Sequence, residues 1–197
     1  MPRQMNSLNW FDESEIDYFS AFIKLWLAFN ALYKRFYQNS SFGGNDRKYI
    51  EAIKTDNNVI KRKFTDLYDK NSDDGKEFRV YLGELVKTYD GGVFGGKKII
   101  NNDTLRPQIN GQQVREISFK DFIHPKSFSL KRKPRGFLKV GPIYVKDNPE
   151  SIWPYYVEIV YMIRNQLVHG DLEPSPENHK IIKACYYILY ILIGDLV

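Results

Sequence analysis

The sequence predicts a mainly α protein: an antiparallel helical bundle with an irregular, basic and partly β insertion. Three observations carry that prediction. Apolar residues recur at helical spacing over several separate stretches. Start and stop signals flank those stretches. Between about residues 91 and 149 the texture changes to Gly, Pro, Asn and Lys, with no sustained period. A chain of 197 residues that is 43% hydrophobic suits a single domain, 1–197, with a proper core.

The first helix is expected to begin near Asp12. Asp12 and Glu15 resemble a capping box, with Phe11 and Ile16 as a hydrophobic staple. Ile16, Phe19, Phe22, Ile23, Trp26, Leu27, Phe29, Leu32, Tyr33 and Phe36 then form an arc wide enough to place this helix centrally in the core. Loop residues Asn39 to Gly44 end it. Asp46 is the expected cap of a second helix carrying Tyr49, Ile50 and Ile53. Asn57-Asn58 separates it from a third run, Ile60 to Phe64 to Tyr68. Asp73-Asp74-Gly75 reads as a turn before a helix carrying Phe78, Leu82, Leu85, Val86 and Tyr89.

In the insertion, Glu116 to Phe119 and Leu138 to Val140 read as short strands or extended loop. A structureless stretch of this length is uncommon inside a domain, which marks it as an insertion or functional loop. Gly91 to Lys98 nearly spells a P-loop. Lys98 stands where a magnesium-binding Ser or Thr belongs, and the preceding segment reads as helix, so a turn is expected there. Helical pattern returns at Trp153-Pro154 and stops at Gly170, a C′ residue. Ser175-Pro176-Glu177 opens the last helix, which carries Ile181, Ile182, Cys185, Ile188, Leu189 and Leu192.

Composition narrows the function. A single cysteine excludes a disulfide scaffold and a multi-thiolate zinc site, and three histidines leave little room for a histidine-built metal site. The chain has no apolar run of membrane-spanning length, and its N-terminal stretch lacks the apolar core of a secretory signal. A cytoplasmic protein in a reducing compartment is expected. Cys185 is expected in the core, and His124 and His179 on the surface.

The informative segment is Met162 to Asp171. Arg164, Asn165 and His169 interrupt a helix that is otherwise apolar, and Asn165 and His169, four apart, share a face. These residue types suit phosphodiester chemistry on RNA. Histidine exchanges a proton with a 2′-hydroxyl near neutral pH. Arginine holds the phosphate and its developing charge, and asparagine orients either group. No metal or cofactor is called for. His169 lies in the last helical turn, where the macrodipole favours the imidazolium and suits an acid role. Cleavage also needs a second proton-transfer group, and one copy offers a single histidine here, which favours a homodimer with two copies lining one cleft. The alternative is that Arg164 pairs with Asp171 or Glu158 and His169 merely caps the helix.

Net charge is +5, but it is unevenly spread. Residues 122–146 hold seven of the 29 Lys and Arg and no Asp or Glu, leaving 22 basic against 24 acidic residues elsewhere. Lys131, Arg132, Lys133 and Arg135, interleaved with Phe128 and Phe137, suggest an RNA-guiding loop, because cations track phosphates and rings stack on bases. A solvated basic loop is the alternative.

Arg164-Asn165-Gln166-Leu167-Val168-His169 followed by Gly170-Asp171 resembles the signature of HEPN domains, an arginine and a histidine a few residues apart with Asn often following the Arg. Leu25 to Tyr33 resembles the long first helix of free-standing HEPN proteins. The two blocks stand in the family's order, and the middle of the chain matches nothing in it. The resemblance implies an α bundle dimerising across the motif helix, and a metal-independent endoribonuclease of a toxin–antitoxin or anti-phage system, with RNA as substrate and an antitoxin or defence protein as a further partner. It assigns Arg164, Asn165 and His169 to catalysis, with Asn30 and Asp171 in support. HEPN toxins silenced by nucleotidylation carry a tyrosine two residues after the histidine. Asp171 stands there in this chain, so that control is not expected. A non-catalytic HEPN-like module binding RNA, nucleotide or a partner protein is the second reading.

Overall fold

Each helix described opens on an Asp, Asn or Ser whose side-chain oxygen accepts a backbone N–H of the first turn. The computed structural model describes residues 17–88, 108–109, 112–113, 119–127, 130, 132–172 and 175–197. In chain order the helices are α1 (Tyr18–Phe36), α2 (Asp46–Thr55), α3 (Val59–Asp69), α4 (Asp73–Thr88), α5 (Pro149–His169) and α6 (Pro176–Ile193). Between α4 and α5 stand two antiparallel two-stranded hairpins, β1 (Gln108–Ile109) with β2 (Gln112–Gln113) and β3 (Phe137–Val140) with β4 (Ile143–Lys146), and a 3-10 turn (Lys120–Phe122). The class is therefore mainly α, with the insertion partly β as expected.

Several boundaries differ from the sequence reading. Asp17 caps α1, so the helix opens at Tyr18, and the staple and capping box proposed for Phe11 to Ile16 lie outside the described residues. Asn45 caps α2 and Asp46 is its first residue. Asp73, Asp74 and Gly75 are not a turn but the first turn of α4, where two carboxylates favour the positive end of the helix dipole. The α5 helix starts at Pro149, before Trp153. Asn148 caps it, Pro149 takes the first position, where an N–H would have no helical partner, and Pro154 lies inside the helix, where it removes one backbone hydrogen bond. Asn58 separates α2 from α3 as expected, capping α3 through Lys61 N–H at 2.9 Å. The P-loop-like run and residues 116–118 lie outside the described residues.

The core is dominated by aromatics: Trp26, Trp153, Tyr33, Tyr68, Tyr156, Phe22, Phe64 and Phe78 are all fully buried. The α6 helix packs on α1 and α4, while α2 and α3 pack on α5. Tyr81 stacks on Tyr187 at 4.3 Å between ring centres, and the hydroxyls of Tyr18 and Tyr187 lie 3.0 Å apart. Cys185 is buried, as expected, and burial pushes its thiol up and keeps it neutral. His179 corrects the surface reading: its ring meets those of Tyr18 and Phe19 edge-on at 5.4 and 6.1 Å. His124 is likewise half-buried, edge-on to Phe137 at 4.8 Å. Among the described residues no helix is long and apolar enough to cross a membrane.

Two contacts fix the middle of the chain. A Cβ on Gly83 would lie 2.4 Å from the Val140 carbonyl oxygen, so the β3–β4 hairpin rests on bare α4 backbone. The buried Arg79 donates to the carbonyls of Leu67 (3.3 Å), Tyr68 (3.1 Å) and Lys70, closing the C-terminal end of α3. Arg79→Met keeps the stem and strips these bonds. It is expected to lower stability by about 2–3 kcal/mol in urea unfolding; an unchanged midpoint would mean that other groups satisfy those carbonyls.

Candidate functional site

The motif helix changes environment along its length. From Ile152 to Ile163 nearly every α5 residue is buried, Arg164 to Leu167 are half-buried, and Val168, His169 and Gly170 are exposed. Arg164, Asn165 and His169 therefore do not burden a buried helix, as the apolar sequence around them suggested. They occupy the end where it meets solvent. A Schellman motif makes that end: Asp171 N–H donates to the Gln166 carbonyl at 2.8 Å, Gly170 N–H to Leu167 at 3.3 Å, and Gly170 sits at φ +72°. His169 is the last helical residue.

Arg164 does not pair with Glu158 or Asp171. Its Nη1 donates to Asn165 Oδ1 at 2.7 Å, its Nη2 lies 3.7 Å from Asp46 Oδ2, and its guanidinium lies 5.9 Å from the centre of the Trp26 ring. Asp46 is the hub of the cluster. Lys34 Nζ approaches its carboxylate at 3.2 Å and Asn30 Nδ2 donates to it at 3.5 Å. Asn30 also donates to the Tyr33 hydroxyl. Burial, and then the Asp46 charge, push the Tyr33 phenol well up, so it stays protonated. The expected supporting residue Asn30 thus joins Arg164 and Asn165 through Asp46. Asp171 is exposed and contributes its backbone N–H to the helix stop.

Beside this cluster lies a buried one. Glu158, 0% exposed, accepts from Lys54 Nζ at 2.7 Å and from Arg47 Nη1. Glu51 accepts from Lys54 at 2.9 Å and pairs with Arg47. Burial works to lower the Arg47 pKa, but the hydrogen bond and charge of Glu158, with the charge of Glu51, outweigh it and raise it. The Arg47 guanidinium also lies 5.6 Å from the centre of the Tyr161 ring. These contacts clamp α2 to α5 and hold Asp46 next to Arg164.

Sequence reasoning missed Asp46, Lys34 and Arg47. Asp46 carried a local signal, but that signal pointed to a helix cap. Its pairing with a residue 118 positions later leaves no local trace. Among the described residues no group of three or more His, Cys, Asp or Glu side chains is placed to hold a metal ion. The cationic candidates are elsewhere: Arg132, Lys133 and Arg135 are exposed just before β3, and Lys131 lies outside the described residues. Comparison with protein-family models, with curated proteins and with solved structures gives no match.

Proposed function

We propose that this protein is a metal-independent, HEPN-type endoribonuclease that works as a homodimer, in a toxin–antitoxin or anti-phage setting. The observation that carries the reading is the cluster at the solvent end of α5, where Arg164 is oriented by Asn165 and Asp46, on the same helix end as the exposed His169 five residues further on. Such a surface admits a phosphodiester without opening the core. His169 takes the proton of the 2′-hydroxyl, and the 2′-oxygen attacks phosphorus. The bond to the 5′-oxygen breaks, and that oxygen takes a proton from the second copy of His169. Arg164 holds the phosphate charge. The products are a 2′,3′-cyclic phosphate and a 5′-hydroxyl.

The second reading, a module that binds RNA, nucleotide or a partner protein without cleaving, is favoured by the engagement of Arg164 with Asp46 in a single copy. Incubating the purified chain with mixed RNA in excess chelator separates the two. Cleavage leaving cyclic phosphate ends, reduced by about 10²–10⁴ in His169→Ala, is the expected result. RNA left equally intact by both proteins, or cut equally by both, removes the catalytic role of His169.

A further inference from the structure

We propose that the outward face of the β3–β4 hairpin, with residues 132–136 before it, is a binding platform for single-stranded RNA, separate from the His169 end of α5. It deepens the RNA reading above and rests on it only for the identity of the sugar.

The register pairs Phe137 with Lys146, Leu138 with Val145, Lys139 with Tyr144 and Val140 with Ile143. Opposite residues share a face and neighbours alternate. Leu138, Val140, Ile143 and Val145 therefore form one face, and the latter three are buried. Phe137, Lys139, Tyr144 and Lys146 form the other. There Lys139 and Lys146 are exposed, Phe137 is half-buried, and Tyr144 is buried, its strand paired on the far side with Ile123. Phe137 belongs neither to the core nor to the apolar residues packed against it. Its ring contact is His124, edge-on at 4.8 Å.

Among the described residues no carboxylate pairs with the charges on this face. In the helical body Lys34, Arg47, Lys54, Lys61, Lys63 and Lys76 each meet a carboxylate, while others, such as Lys24, Lys48 and Arg62, meet none among the described residues. Arg132, Lys133, Arg135, Lys139 and Lys146 meet none among the described residues, and residues 122–146 contain no Asp or Glu. Like charges held together on a hairpin seated on the α4 backbone repel one another, and an anionic partner relieves that repulsion. The half-exposed ring among them selects the partner. A single strand offers phosphates to the cations and an unpaired base to stack on Phe137, whereas a duplex hides its base faces.

Position gives the substrate a length. Lys146 is followed within three residues by the start of α5, and His169 stands at the other end of this 21-residue helix. At about 1.5 Å per residue the two lie roughly 30 Å apart. That is about nine nucleotides at the ~3.4 Å rise of a stacked strand.

The test uses full-length His169→Ala protein and a labelled, unstructured 20-nucleotide RNA, with affinity measured against salt. Arg132→Ser/Lys133→Ser/Arg135→Ser is expected to flatten the salt slope by roughly 0.7 for each phosphate no longer neutralised. Lys139→Ser/Lys146→Ser should do the same from the strands. Phe137→Leu is expected to weaken binding roughly 5- to 100-fold with the slope unchanged. Unaltered thermal melting separates these effects from misfolding, and a variant that melts early is replaced by the other charge pair. Equal affinity and slope in all variants overturns the proposal. So does duplex bound as tightly as single strand, or displacement by polyglutamate or phosphatidylserine vesicles as effective as by unlabelled RNA. Because His169 is absent from every protein used, failure here leaves the cleavage reading standing, and failure of cleavage leaves this platform standing.

Discussion

Glu158→Ala is expected to lower the stability of the fold by about 3 kcal/mol, the lower end of the 3–5 kcal/mol usual for breaking a buried ion pair. Glu158 is 0% exposed and Lys54 only 3%, so removing the carboxylate leaves an ammonium inside the protein without its closest charge. Glu51 stays 2.9 Å from Lys54 and also pairs with Arg47, and this remaining partner keeps the loss from being larger. Glu158→Gln separates charge from volume. It keeps an acceptor for Lys54 and should fall between wild type and Glu158→Ala. Replacing Glu158 and Lys54 together by Met is expected to recover part of the stability, since a buried pair exchanged for apolar groups of similar size is often neutral. Denaturant midpoints at constant m-value measure all three. If Glu158→Ala unfolds at the wild-type midpoint, the cluster is not holding α2 to α5.

Arg164→Lys should cut RNA cleavage by about 10²–10³ while leaving stability nearly unchanged. In the proposed reaction the guanidinium presents a planar fork to the phosphate. Lysine keeps the charge and loses the fork. Stability is expected to move by less than about 1 kcal/mol, because the pair with Asp46 is long, 3.7 Å, and both side chains are 25% exposed. A variant with wild-type kcat/KM would exclude a two-pronged phosphate contact at this position. Melting curves run beside the kinetics guard against a folding defect, and the adjacent Glu158 cluster makes that control necessary.

Much of the secondary structure was legible because it is encoded locally. The apolar periods of Phe22 to Tyr33 and of Ile181 to Leu192 became α1 and α6, and Ser175 and Gly170 bound helix ends as their chemistry requires. Errors clustered where two local signals competed. Asp46, Asp73 and Asp74 suit caps and turns, but each found Asn45 or Ser72 already capping ahead of it and became a first-turn residue. At the start of α5 the apolar signal of Trp153 is stronger than that of the polar Asn148 upstream, which caps the helix.

The helical periods, their stops, the grouping of Arg164, Asn165 and His169 on one helix end, and the concentration of cations in residues 122–146 are written in the chain before it folds. Periodicity and composition are properties of neighbours along the chain and survive without a fold. Packing alone settles that Arg164 faces Asp46 and not Glu158, that Glu158 is committed to Lys54 and Arg47, and that the cationic hairpin stands at the opposite end of α5 from His169. Those outcomes depend on which helix face meets which, and charges far apart in sequence select one another only once burial has brought them together and removed the water that would otherwise satisfy them.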